Sequence, residues 1–226
     1  MAGMFSTCAS DPELRFLSTV VATGSPVIDD LRIVLADQRW SEIIPGIVLY
    51  DEPDSPVDEV LREAGYTVHG WRPVAVRKLT REDRTGSISH PSETLRVMPV
   101  ADDGLDEFVT VLLTAYEVDG AIARFIESEH RSPQAQRFAV RSEDRMIAVA
   151  GMTHHGEIAV LGGAATLPAE RGKGAQALLL RHRLRLARQA GCTEAVATAV
   201  HGSPSARNLG RSGFVVCNRP SRHKPG

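Results

Sequence analysis

The chain has 226 residues, about one and a half domains at roughly 150 residues each, and is long enough to bury a core without disulfide staples. Its composition, 42% hydrophobic and 24% charged, is that of a soluble globular protein. Lys and Arg number 26 against 28 Asp and Glu, a formal net charge of −2, which argues against a whole-surface grip on a nucleic-acid backbone.

In chain order, the apolar spacing predicts a helix over Ile28–Trp40 and a strand over Ile47–Tyr50. Thr80 to Glu93, TREDRTGSISHPSE, carries no apolar period and reads as a linker or exposed loop, which divides the chain into 1–80, 81–93 and 94–226. Beyond it, Thr94–Val100 reads as a short strand. Asp102–Tyr116 is an amphipathic helix, with Leu105, Val109, Leu112 and Leu113 on one face, and Gly120–His130 is a second helix. Phe138–Val140 and Met146–Met152 form a hairpin around Ser142–Asp144, and Ile158–Leu167 follows the turn His154-His155-Gly156. From Gly172 to Ala190, the residues Ala177, Leu180, Leu184 and Ala187 fall at helical spacing, and Gly191 stands where a C-terminal glycine cap belongs. Ala195–Val200 is a strand, Ser205–Ser212 a short helix and Gly213–Val216 the start of a last strand. The basic tail Arg219–Lys224 reads as a frayed end. This order of elements predicts an α/β protein with a mixed sheet.

The tail pattern occurs twice, 148 residues apart. Ser55-Pro56, Leu61, Gly65-Tyr66 and Val68 fall on Ser203-Pro204, Leu209, Gly213-Phe214 and Val216. Upstream, Ile47–Tyr50 falls on Ala195–Thr198, Ile28–Trp40 on Gln176–Arg188, and Gly24 on Gly172. The pattern reads as an internal repeat whose early copy, VATGSPV around Gly24, lacks a basic glycine loop.

The loop in the later copy carries the chemistry. A strand enters a proline-bounded turn, then Arg171-Gly172-Lys173-Gly174, then a long helix. Glycines let successive N–H groups converge, and the helix start adds free donors and a positive dipole end, a setting that suits a pyrophosphate. Lys173 is followed by Gly174 rather than Ser or Thr, so this is not a Walker A loop, and GxGxxG does not fit either.

Arg171-Gly172-Lys173-Gly174-Ala175-Gln176 resembles the Arg/Gln-x-x-Gly-x-Gly/Ala signature of the GNAT superfamily of acyl-CoA-dependent N-acetyltransferases, departing from it at Gln176. Thr166-Leu167-Pro168 before it, and Ser205-Ala206-Arg207-Asn208 through Gly213-Phe214 after it, resemble the family's flanks. The likeness spans Glu93 to about Pro220. It implies a complete GNAT-like C-terminal domain preceded by a truncated, degenerate GNAT-like half. It also implies acetyl-CoA as co-substrate, with the pantetheine arm along Ala165, Thr166 and Leu167. The pyrophosphate would lie on Gly172, Lys173, Gly174, Ala175 and Gln176, beside Arg171, with Ser205 and Asn208 facing the cofactor. The implied reaction is direct attack by an amine, of a small molecule, on the thioester, with a strand amide polarising the carbonyl.

The family's usual acid, a Tyr four residues before the Gly of Gly-Phe, is Leu209 here; Ser203, Ser205 or a water would replace it, or the thiolate would leave without a dedicated donor. Candidate bases are His155, Glu157, Tyr116 and Asp119, each with a turn or surface role as the simpler reading. Arg181, Arg185 and Arg188 form a solvated stripe, and Asp51–Asp54 an acidic loop. Cys8, Cys192 and Cys217 are odd in number and lack CxxC spacing, and no His or Cys pair has ligand spacing. A metal is therefore not expected and a reducing, cytoplasmic setting is. The first twenty residues lack a signal-peptide pattern, and Ile158–Leu167 is too short to span a bilayer, so no membrane role is expected. The rival reading is a non-catalytic acyl-CoA-binding or protein-interaction module, whose early half makes a homodimer or covers the acceptor pocket.

Overall fold

A computed structural model of the chain describes residues 3–7, 9, 12–23, 28–37, 40, 43–49, 55–85 and 95–225. The expected features at Cys8, Gly24, Tyr50–Asp54 and 86–94 lie outside the described residues. Two compact units are present, one made of residues 1–74, 199–206 and 216–226, the other of 75–198 and 207–215. That partition differs from the three consecutive segments expected, because the end of the chain belongs to the first unit.

The first unit holds β1 (Gly3–Thr7), β2 (Thr19–Thr23), α1 (Ile28–Leu35), β3 (Gly46–Val48), α2 (Pro56–Glu63), most of β4 (Thr67–Lys78) and most of β10 (Val215–His223). Its strands run in the order β1-β2-β3-β10-β4, with β2 parallel to β3 and β10 antiparallel to β3. Val20, Leu31, Ile47, Leu49, Leu61 and Tyr66 form its core. The expected frayed tail is wrong. Ser221 and Arg222 pair with Val48 and Ile47, and the buried Arg222 guanidinium donates to Asp58 Oδ1 at 2.8 and 3.1 Å. A carboxylate 164 residues upstream is what lets so charged a segment lie inside a sheet.

In the second unit the end of β4 is followed by α3 (Arg81–Thr85), β5 (Arg96–Pro99), α4 (Leu105–Tyr116), α5 (Gly120–Arg131), β6 (Gln136–Ser142), β7 (Arg145–His155) and β8 (Ile158–Thr166). Then come α6 (Ala175–Gln189), β9 (Glu194–Thr198) and the end of α7 (Pro204–Arg211). The strand order is β4-β9-β8-β7-β6-β5, antiparallel from β5 to β8 and parallel between β8 and β9. Successive strand residues point to opposite faces. Ala139 and Val149 join Phe108, Val109 and Leu112 of α4, whereas Phe138 meets His182 of α6 edge-on at 5.0 Å. The helices α4 and α6 thus cover opposite faces of the sheet.

Two further expectations are corrected. The segment read as a linker opens with α3, because Asp83 accepts from Thr80 N at 2.8 Å and from its hydroxyl at 3.1 Å, and pairs with Arg77. In α6 the inward face is Ala175, Leu178, Leu179, Leu180, Arg183, Leu184 and Ala187, so of the expected residues only Ala177 is exposed. Gly191 does cap the helix, with φ of +95° and Cys192 N donating to Ala187 O at 3.0 Å.

The 148-residue offset is visible in atomic detail. Ser55 Oγ accepts from Asp58 N as Ser203 Oγ accepts from Ala206 N. Gly65 and Gly213 take φ of +85° and +80°, and Tyr66 N and Phe214 N return to Leu61 O and Leu209 O. Both leucines and both aromatic residues are buried.

Candidate functional site

The loop after β8 is shaped by two left-handed glycines, Gly172 at φ +81° and Gly174 at φ +86°, the latter capping α6. Among the described residues, the N–H groups of Gly172, Lys173 and Gly174 have no acceptor, and those of the first turn of α6 are free by helix geometry. The loop's cations are engaged within the fold. Arg171 donates to Thr166 O at 3.3 Å and Ala115 O at 3.2 Å, tying the loop to β8 and to the end of α4. Lys173 donates to Glu170 at 2.8 Å, and Glu170 also pairs with Arg145; the Lys173 bond foremost holds that carboxyl below its usual range. Gln176, the departure from the family pattern, turns its amide onto Thr166 Oγ1 at 2.9 Å. The unpaired donors of the loop are therefore main-chain amides.

Leading into the loop, β8 loses its partner on one side. It pairs with β9 from Ile158 to Leu161 and continues alone on that side through Thr166. On the other side its register with β7 shifts. Val149 faces Ala165 and Gly151 faces Gly162, so two residues of β8, Gly163 and Ala164, oppose one of β7. This is a glycine bulge with Gly163 at φ +53°.

Three side chains that sequence reasoning did not connect surround the bulge. His130 of α5 is buried, donates Nδ1–H to Ile126 O at 2.8 Å and lies against Phe108. Its ring fills the space a Cβ would need on Gly151 or Gly163. Arg183 of α6, 3% exposed, donates Nη1–H to Gly151 O at 2.9 Å and to Gly162 O at 3.3 Å. Burial pushes its pKa down to about 10. Tyr116, at the end of α4, brings its hydroxyl to 3.5 Å from Ala164 O, and burial raises its pKa. Of the four candidate bases, Tyr116 is the one whose side chain reaches this part of the strand.

The other candidates lie elsewhere. His155 and Glu157 sit at the β7–β8 turn, about 26 Å along β8 from the glycine loop at roughly 3.3 Å per residue. His155 Nε2 lies 3.1 Å from Thr153 Oγ1, and Glu157 accepts from Thr193 at 3.2 Å. Cross-strand pairing puts Thr153, Val160 and Val196 in one row and His155, Ile158 and Glu194 in the next, all on one sheet face. Ile158 and Val160 are exposed, so this face is an open apolar strip beside the bulge. Asp119 is exposed and begins α5, while Ser205 (first unit) and Asn208 (second unit) are exposed on α7. Leu209 is buried.

A bulged strand parted from its neighbour, a glycine turn and a helix start with unpaired amides make a setting in an α/β fold that suits an anionic phosphoester. Residues 105–214 match the Acetyltransferase (GNAT) family, so this part of the chain is similar to that family. Among solved structures, a GCN5-related N-acetyltransferase from Kribbella flavida is similar at 20% identity and TM-score 0.66, over 93% of this chain and 82% of that one. One from Sphaerobacter thermophilus has 14% identity and TM-score 0.66, over 100% and 77%. A functionally unknown conserved protein from Staphylococcus epidermidis has 11% identity and TM-score 0.65, over 96% and 89%. At these identities the likeness establishes the fold. No curated protein matches the chain in sequence. Among the described residues no helix is long and apolar enough to cross a membrane.

Proposed function

We propose that the protein transfers an acetyl group from acetyl-CoA to the amine of a small molecule. The observation that carries this reading is the free edge of β8 from Gly162 to Thr166, running directly into the unpaired amides of Gly172–Gln176. The edge offers strand-like hydrogen bonds to a pantetheine arm along Ala165, Thr166 and Leu167, and the loop offers donors to the pyrophosphate. Arg171 and Lys173 brace the loop and add positive potential, and Asn208, in the same unit, is kept as a cofactor contact on the family pattern.

The reaction forms an amide bond and breaks the thioester. The amine loses a proton and the departing CoA sulfur gains one. A main-chain amide of the bulged strand stabilises the carbonyl oxygen as charge develops on it. The acceptor approaches across the open strip of Val160, Ile158 and Val196, and its amine proton passes to solvent water, because His155 stands too far along β8 from the bulge to take it. Tyr116 stands nearest the strand and supplies the acid role that Leu209 leaves empty.

The test is thiol release from acetyl-CoA across a panel of small amines, with wild type and Tyr116→Phe. The expected result is turnover with some of the amines, reduced tenfold or more by Tyr116→Phe. The buried Leu209 favours a second reading, a non-catalytic acyl-CoA binder. Tight binding without turnover on any amine would establish it.

A further inference from the structure

Arg183 stands among leucines on the inward face of α6, where Leu179, Leu180 and Leu184 do the packing. An arginine there is costly, since a buried guanidinium loses its hydration and, among the described residues, meets no carboxylate. Its acceptors are carbonyl oxygens: Gly151 O and Gly162 O through Nη1, and Leu179 O through Nε at 3.4 Å. The two glycines occupy one cross-strand pair, Gly151↔Gly162. That pair is the junction at which β9 pairing has just ended, at Leu161, and the two-residue bulge Gly163–Ala164 begins. A bulge takes main-chain groups off the ladder, and a carbonyl so displaced in a dry interior needs a donor. A leucine or methionine would supply none, and a guanidinium supplies one N–H fork reaching both strands.

We propose that Arg183 is a positioning residue for acyl transfer: by pinning Gly151 O and Gly162 O across β7 and β8, it holds the bulge that aims the amides of Gly163–Ala165 at the thioester carbonyl. This rests on the acetyl-CoA reading above. From the opposite face His130 fills the space beside Gly151 and Gly163, so the bulge is held on both sides. The arginine touches neither the pyrophosphate loop nor its unpaired amides. Its loss therefore acts on the chemical step and leaves cofactor affinity in place.

The test uses full-length wild type, Arg183→Met and Arg183→Lys, each first checked for folding by near-UV circular dichroism. Acetyl-CoA affinity is measured by calorimetry. The chemical step is followed as slow hydrolysis of acetyl-CoA, in which water attacks the same carbonyl and CoA thiol is released. Arg183→Met is expected to keep the dissociation constant within about threefold and to lower kcat tenfold or more, a loss of about 1.4 kcal/mol of transition-state stabilisation. Arg183→Lys, which keeps one charged donor, recovers part of kcat. Amide hydrogen exchange at 162–166 supplies a readout that needs no ligand, and the methionine variant should exchange there faster than wild type. An unchanged kcat with unchanged exchange overturns the proposal. So does an equal fall of kcat and affinity that lysine does not relieve, the mark of general loosening. If wild type binds no acetyl-CoA, the acyl-transfer reading fails. The exchange comparison then decides alone whether Arg183 holds the bulge.

Discussion

The imidazole Nε2 of His130 lies 1.9 Å from where a Cβ on Gly163 would stand. Gly163 also has φ of +53°, a conformation that side chains rarely adopt. Helix α5 and strand β8 are thus fitted together around an absent side chain.

Gly163→Ala should therefore destabilise the second unit by two separable routes. Backbone strain costs about 1–3 kcal/mol, and the overlap with His130 adds to it. In a His130→Ala background only the strain remains, so the double-mutant cycle should show coupling. Denaturant midpoints of the four proteins measure it. An identical cost in both backgrounds would mean that the imidazole yields freely and the close approach is immaterial.

The clasp between Asp58 of α2 and Arg222 of β10 sets a second expectation. Burial raises the Asp58 pKa, but hydrogen bonds from Arg222 and Arg62 outweigh it and hold the carboxyl below its usual 3.8. A depressed carboxyl contributes stability above its unfolded pKa and loses it as pH falls through the folded value. Asp58→Asn should cost about 3 kcal/mol at pH 7, because the buried guanidinium is left without its anion. The difference from wild type should shrink below pH 3.8, and a difference that stays constant in acid contradicts the clasp.

His182 titrates in the other direction. Burial foremost, then Arg185 and Arg183, push its imidazole below the ordinary 6.5. The unfolded chain then takes up the proton first, so stability falls as pH drops below about 6.5 and levels off beneath the folded value. His182→Phe keeps an aromatic ring against Phe138 and removes the titration. Urea unfolding at pH 7.5 and pH 5 should show a smaller acid loss in the variant. An equal loss in both proteins would assign the effect to other groups.

Much of the second unit was legible from sequence because its signals are local. The apolar period of α4, the hairpin at Ser142–Asp144 and the glycine cap at Gly191 are each written within a dozen residues. The two matching caps were legible too, since Ser55 and Ser203 cap helices that start at the next residue. What escaped depends on partners far apart in the chain. Arg222 reads as tail until Asp58 is beside it, and Arg183 reads as one more arginine on a basic helix until its two carbonyls are seen. His130 gave no sign, because its fit depends on glycines 21 and 33 residues away. The sequence of the loop at 171–176 gave no sign that Arg171, Lys173 and Gln176 would be engaged within the fold. Hydrogen bonds to carbonyls leave no periodic trace in a sequence.

The most direct measurement is calorimetric titration of the full chain with acetyl-CoA, beside a Gly174→Glu variant. Gly174 sits at φ +86° among the unpaired amides, and a carboxylate there would be strained and would repel a pyrophosphate. The expected result is saturable binding to the wild type and at least a thirtyfold weaker affinity in the variant, about 2 kcal/mol. Absence of binding by the wild type up to millimolar acetyl-CoA, or equal affinity in the two proteins, would contradict the assignment of this loop to the cofactor.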